Sequence, residues 1–243
     1  MTTPACPVRF PAFVVVEGGD QRTVFRGVDW HTYSQLSQAT GESGGIRLIY
    51  DGRDLEIMVV GNIHEQIKEL FGAIVRAVAT GLDLDFVATG QTTWQTEIRG
   101  LEADLSYYFD PEKVRVAREA MARMSMDSAD YPRPDLAIEI DMSSPQVDRK
   151  SIYRDLGVAE VWRLVRGQEL IIEQLHPDGS YAPVDASRFL LVRPEDILRW
   201  LKEAATERQA SWNRRLTQWA MGLGQQALPR ILRTSASSEH RRP

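Results

Sequence analysis

The sequence predicts one α/β domain, a mixed central sheet with helices on its faces, and three observations lead there. Segments of helical period and of strand period alternate along the chain, the pattern of elements that cover one another in layers. At 243 residues, 43% hydrophobic and 26% charged, the chain can bury a sizeable core, and its ordinary composition excludes wholesale disorder and collagen-like structure. No linker rich in Pro, Gly or Ser divides it, and no internal repeat is visible.

Residues 1–27 are punctuated by Pro and Gly and show no sustained period, so they read as an N-terminal extension. Asp29 can N-cap a helix from Trp30 to about Gln38, because its carboxylate can accept from the first free backbone N–H groups. A loop, ATGESGG (39–45), precedes IRLIYDGRDLEIMVV (46–60), which reads as two strands around Asp51-Gly52-Arg53, where Gly tolerates positive φ. After Asn62, one helical face gathers Ile63, Ile67, Leu70, Phe71, Ile74, Val75 and Val78, and Gly81 is the expected C-cap. Strands are expected at 84–89, 92–98 and 102–109. In the last, Ala103, Leu105, Tyr107 and Phe109 alternate with Glu102, Asp104, Ser106 and Tyr108. Residues 111–133 read as a helix and a loop. PDLAIEID (134–141) is the next strand, and Ser144, Pro145 and Gly157 frame a helix as N-cap, first residue and C-terminal stop. VAEVWRLVR (158–166) and LIIEQL (170–175) pair around Arg166-Gly167-Gln168. A helix follows from Pro194 to about Ala205, another to about Ala220, and RTSASSEHRRP reads as a disordered tail.

Composition narrows the setting. Mean hydropathy is −0.31, and no apolar run reaches the roughly 18 residues of a membrane span. The N-terminus lacks the basic and apolar regions of a signal peptide. One cysteine, Cys6, excludes an internal disulfide or a cysteine metal cage and points to a reducing, cytoplasmic compartment. The net charge of −5 argues at first against nucleic acid, yet it is uneven: residues 199–243 balance to +6 and residues 1–198 to −11. An acidic body is either solvated surface or carboxylates gathered around metal ions.

The chemistry-bearing residues begin on the strand 134–141. Its alternation puts Asp135, Ala137, Glu139 and Asp141 on one face and Leu136, Ile138 and Ile140 on the other. Neighbouring like charges repel. They are tolerated at a solvated edge or strand end, or where a divalent cation lies between them. Asp104, mid-strand and of a residue type depleted in strands, strengthens the second reading. Three carboxylates on adjacent strands suit Mg²⁺ or Mn²⁺, which can activate a water and neutralise charge on a phosphoryl group. Arg149 and Lys150, early on the next helix, are the nearest cations in sequence; the plain alternative is that they are solvated.

The run PDLAIEIDMSSPQVDRKSIYRDLGVAEVWRL resembles the signature of a bacterial family of restriction-endonuclease-like proteins, once a domain of unknown function, within the PD-(D/E)xK nuclease superfamily. The GRDLEIM hairpin, the NIHEQI helix start and GLEADLSYYF follow the same order, and the likeness spans roughly residues 28 to 202. The resemblance implies a restriction-endonuclease-like mixed sheet flanked by helices and a metal-dependent phosphodiesterase site. It implies a nuclease-like domain over 28–205, followed by a C-terminal helix and basic tail over 206–243. It makes Asp104 and Glu139 the two motif carboxylates and leaves Asp141 where a lysine is expected. It moves the missing lysine to the helix position occupied by Arg149, beside Lys150. Arg stays charged where Lys can exchange a proton, so a lysine requirement demands that Lys150 turn inward. Glu65 becomes an accessory metal ligand, and His64 either lines the pocket or merely caps its helix.

Three functions follow: a Mg²⁺- or Mn²⁺-dependent endonuclease cutting DNA, a catalytically silent member of the same fold that binds or assembles, or a hydrolase of small phosphate esters. Two cuts on two strands suit a homodimer. Trp200, Trp212 and Trp219, among Arg199, Arg208, Arg214 and Arg215, can stack on bases or pack onto the body; packing is the preferred reading. There is no Gly-rich phosphate loop, zinc pattern or GxSxG elbow.

Overall fold

Two sheets, rather than the single sheet expected, carry the fold, and the chain passes between them at Asp104. The computed structural model describes residues 20–40, 45–90, 92–125 and 127–238. Residues 1–19 of the expected extension, with Cys6, most of the 39–45 loop and residues 239–243 of the expected tail lie outside the described residues.

The first sheet is antiparallel throughout. It contains β1 (Gln21–Phe25), β2 (Ile46–Tyr50), β3 (Leu55–Val59), β5 (Thr92–Gln95) and β6 (Gly100–Ala103), in the order β1-β3-β2-β6-β5. The second contains β4 (Val87–Thr89), β7 (Leu105–Tyr108), β8 (Leu136–Asp141), β9 (Glu160–Val165), β10 (Glu169–Leu175) and β11 (Tyr181–Pro183), in the order β11-β10-β9-β8-β7-β4. It is mixed because β8 and β9 run parallel. The helices are α1 (Trp30–Thr40), α2 (Asn62–Gly81), α3 (Pro111–Ala122), α4 (Arg149–Leu156), α5 (Pro194–Ala204) and α6 (Gln209–Ser238). Among the described residues, no helix is long and apolar enough to cross a membrane.

The layers follow from side-chain parity. Leu136, Ile138 and Ile140 of β8, with Trp162 and Leu164 of β9, meet α2, α5 and α6 in the largest core. The opposite face presents Ala137 and Val161 to α3, α4 and to Ile49, Trp94, Leu101 and Ala103 of the first sheet. α1 covers the outer face of that sheet, where Tyr33 stacks on Tyr50 at 4.8 Å.

Several elements differ from expectation. β1 arises in a segment with no visible period; it forms because β3 offers it an antiparallel edge. The strand expected over 102–109 is two strands. Leu101 and Ala103 lie in one core while Leu105 and Tyr107 lie in the other, so the alternation slips by one residue at Asp104. α4 is capped by Asp148, which accepts from the backbone N–H of Lys150 and Ser151, and not by Ser144. Gly157 does end it, at φ 69°. α6 continues past Ala220 to Ser238, into the segment expected as a tail.

Gly81 is not the C-cap of α2 but lies inside the helix, with Leu82 at the cap. Its role is close approach. A Cβ there would overlap the Thr217 carbonyl oxygen and stand 2.6 Å from the Ala220 Cβ on α6. The tryptophans pack in the same layer. Trp200 and Trp212 are buried, Trp212 Nε1 donates to the Trp200 carbonyl at 3.0 Å, and Trp219 meets Trp200 edge-on at 4.7 Å. Packing, not base stacking, accounts for them.

Gly81→Ala is expected to lower stability by about 2 kcal/mol, because overpacking against backbone exceeds the helix-propensity gain of under about 1 kcal/mol. Gly72→Ala, also on α2, would meet only the flexible end of Arg76 and is expected to be near neutral. Urea denaturation of both variants checks the contrast.

Candidate functional site

Where the two sheets meet, strand parity turns charged side chains inward. Arg22 on β1 and Arg47 on β2 both pair in register with Met58 of β3. In-register partners project to the same side, so the two arginines flank Met58 on the inner face. Glu56, two residues before Met58, shares that face. Opposite stand Glu139 and Asp141 of β8. Asp104, between β6 and β7, closes the gap, and α2 and α4 bring His64, Arg149 and Tyr153. Arg149 and Tyr153 share a face of α4 by their four-residue spacing. Each of these side chains is 5% exposed or less.

Asp104 is the pivot. One oxygen accepts the Ile140 backbone N–H at 2.8 Å, in place of the backbone acceptor that a continued β7–β8 ladder would offer. The other lies 2.8 Å from His64 Nε2 and 3.4 Å from Arg47 Nε. His64 Nδ1 lies 3.2 Å from Asp20. Burial pulls the imidazole pKa down, but the hydrogen bonds and charges of Asp104 and Asp20 outweigh it and push it up to about 9. Burial raises the Asp104 pKa, while His64 and then Arg47 hold it below its ordinary value.

Arg149 organises the other half. Its Nη1 donates to Glu139 at 2.7 Å and to Asp141 at 3.0 Å, and its Nη2 reaches Glu56 at 3.4 Å. Arg22 donates to Asp141 at 3.0 Å and to Ser143 at 2.7 Å, and it pairs with Glu56. Glu56 also accepts the backbone N–H of Gln146 at 2.6 Å and of Val147 at 3.2 Å, which pins the loop that leads into α4. The Tyr153 hydroxyl donates to Glu139. Burial, against the pull of Arg149 and with the push of Asp104 and Asp141, raises the Glu139 pKa to about 7. Burial would lower the Arg149 pKa, but Asp141, Glu139 and Glu56 hold it well above the ordinary value.

The expected site residues therefore divide. Asp104, Glu139, Asp141 and Arg149 are brought together. Glu139 and Asp141 lie on a central strand, not on the solvated edge that was the alternative. Lys150 turns outward to Glu173 at 2.6 Å, because position 149, immediately after the Asp148 cap, is the one that faces β8. Glu65 contacts Arg47 at 3.5 Å and Lys68, not the other three carboxylates. His64 is buried against Asp104 rather than acting as a surface cap. Asp20, Arg22, Arg47, Glu56 and Tyr153 were not foreseen. The available signal was Arg47 and Glu56, each a charge at an inward position of an otherwise aliphatic hairpin.

Five buried carboxylates (Asp20, Glu56, Asp104, Glu139, Asp141) supply oxygen donors, the kind a hard divalent ion takes, and they face three guanidinium groups and one imidazole. The raised Glu139 pKa expresses first the burial of its carboxylate, which Arg149 offsets only in part. The carboxylates are engaged by Arg149, Arg22, His64 and Tyr153, and among the described residues no three His, Cys, Asp or Glu side chains stand as a group that could hold a metal ion in this arrangement.

A family-model match over most of its length places this mixed α/β chain in the nuclease-like class. Residues 30–206 match the Uma2 family, described as putative restriction endonuclease; the chain belongs to that family. Among solved structures, it is similar to a putative nuclease of DUF820 from Anabaena variabilis ATCC 29413. Identity is 15%, 59% of this chain and 87% of that one are covered, and the TM-score is 0.38. No curated protein matches the chain.

The folded-state pKa values of His64 and Glu139 both lie above those of the exposed groups. Each therefore stabilises the fold fully below its unfolded value and loses that contribution as pH rises through about 9 for His64 and about 7 for Glu139. Stability is expected to fall by about 2 kcal/mol or more between pH 6 and 9.5. In His64→Gln the upper part of that decline is expected to flatten. Urea titrations across this range are the check.

Proposed function

We propose that this chain is an endonuclease that hydrolyses phosphodiester bonds in DNA with Mg²⁺ or Mn²⁺, acting at Asp104, Glu139 and Asp141. The observation that carries the reading is the convergence of these three carboxylates, from adjoining strands, beside the Arg149 guanidinium. A divalent ion held by the three carboxylates would supply an acidified water and neutralise charge on the phosphoryl group. Asp104 is oriented for this by the Ile140 N–H and His64. Glu139, which Arg149 and the Tyr153 hydroxyl orient, would be held ionised as a ligand by such an ion. Arg149 remains charged and serves as an electrostatic partner for a developing oxyanion, not as a base. Cleavage of both strands suits a homodimer, and the single cysteine suits a cytoplasmic setting.

The hold of Arg149 on Glu139 and Asp141 favours a second reading, a silent nuclease fold that binds without cutting. Here Arg149 permanently takes the place of the ion.

Supercoiled plasmid incubated with Mg²⁺ or Mn²⁺ is expected to be nicked and linearised, at least 100-fold more slowly by Asp104→Asn. Cleavage that is absent, or equal in the variant, overturns the first reading. Calorimetric binding of Mn²⁺, abolished by Glu139→Ala, separates it from the second.

A further inference from the structure

We propose that Arg47 is the residue through which this site grips a phosphate of the DNA backbone. This rests on the nucleic-acid reading above but concerns binding rather than cutting. Arg47 is fully buried, yet neither of its terminal nitrogens has a hydrogen-bond partner among the described residues. Nε reaches Asp104 at 3.4 Å, and Nη2 has only an ion-pair contact with Glu65 at 3.5 Å. Arg22 and Arg149, by contrast, spend both terminal nitrogens on Glu56, Glu139 and Asp141. A buried guanidinium whose fork makes no hydrogen bond is costly to maintain, and a phosphate offers paired oxygens that match it.

The position suits that role. Arg47 stands on the Asp104 side of the cluster, as Arg149 stands on the Glu139 side. Between Arg47 and solvent stands Glu65, whose side chain is 41% exposed and lies 3.5 Å from Arg47 Nη2. That Glu65 oxygen also lacks a hydrogen bond, and the other is drawn aside by Lys68. Glu65 borders a groove of about 580 Å³ between α2 and α5, shared with Ile63, Gln66, Leu201 and Ala204. Rotation of this one carboxylate toward solvent opens the fork of Arg47 to an incoming phosphate. At rest, Glu65 occupies the place of the anion.

The test is anisotropy of a labelled 20-base-pair duplex in EDTA, where binding is read without cleavage, over a series of NaCl concentrations. Arg47→Met is expected to weaken binding about tenfold and to reduce the slope of log K against log[salt] by about 0.9, the contribution of one phosphate contact. Arg47→Lys is expected to keep the slope. Glu65→Gln is expected to tighten binding severalfold, whereas Glu69→Gln, which removes the same charge one turn along α2, is not. Thermal melts report folding. A folded Arg47→Met with unchanged slope and affinity overturns the proposal, as does a wild-type protein that binds no duplex. If Arg47→Met does not fold, equal effects of Glu65→Gln and Glu69→Gln overturn it. Arg47-dependent binding without cleavage in Mg²⁺ or Mn²⁺ sinks the endonuclease reading alone; cleavage with an Arg47-independent slope sinks this proposal alone.

Discussion

The carboxylate of Asp104 is the interaction on which the rest of the structure depends. It accepts a backbone N–H from β8, the imidazole of α2 and the guanidinium of β2. One side chain thereby ties the second sheet, the main helix and the first sheet together at the point where the chain leaves one sheet for the other. Such a bend leaves a backbone donor without its ladder acceptor, and a buried donor must find another. Asp is short enough to bend back and supply it, so the residue that permits the junction also places a negative charge at its centre.

That charge sets the remainder of the cluster. A buried carboxylate needs a cation or a hydrogen-bond donor within reach, and each one here recruits the next: His64 and Arg47 for Asp104, Arg149 for Glu139 and Asp141, Arg22 for Asp141 and Glu56. Burial, offset only in part by Arg149, leaves Glu139 titrating near 7. A network this buried is poorly suited to stability for its own sake, since well-packed apolar residues would do as well or better.

Family membership and local geometry meet at Arg149. The resemblance left a choice between Arg149 and Lys150, and helix capping decides it. With Asp148 as N-cap, Arg149 is the first helical residue and lies against β8, while Lys150 lies a third of a turn further round and reaches Glu173. The net charge of −5 is thereby reinterpreted. Part of the acidic excess of the body is an interior feature of one site and says little about what the surface repels.

The sequence by itself determined the α/β class, the main helix, the hairpin at Gly52 and the motif run in which Glu139 and Asp141 share a face. All of these are written in local periods and turn residues that no distant contact overrides. It did not determine that residues 102–109 form two strands. A one-residue slip in alternation appears only when the two halves pack into different cores. Nor did it reveal β1, which forms because β3 presents an edge, or the use of Gly81, which depends on how closely α6 approaches. Arg22, Glu56 and Asp20 join Asp104 and Glu139 only through strand order and register. The pairing of residues more than a hundred positions apart, as with Arg22 and Asp141, is decided by tertiary structure alone, because no local period carries information across that distance.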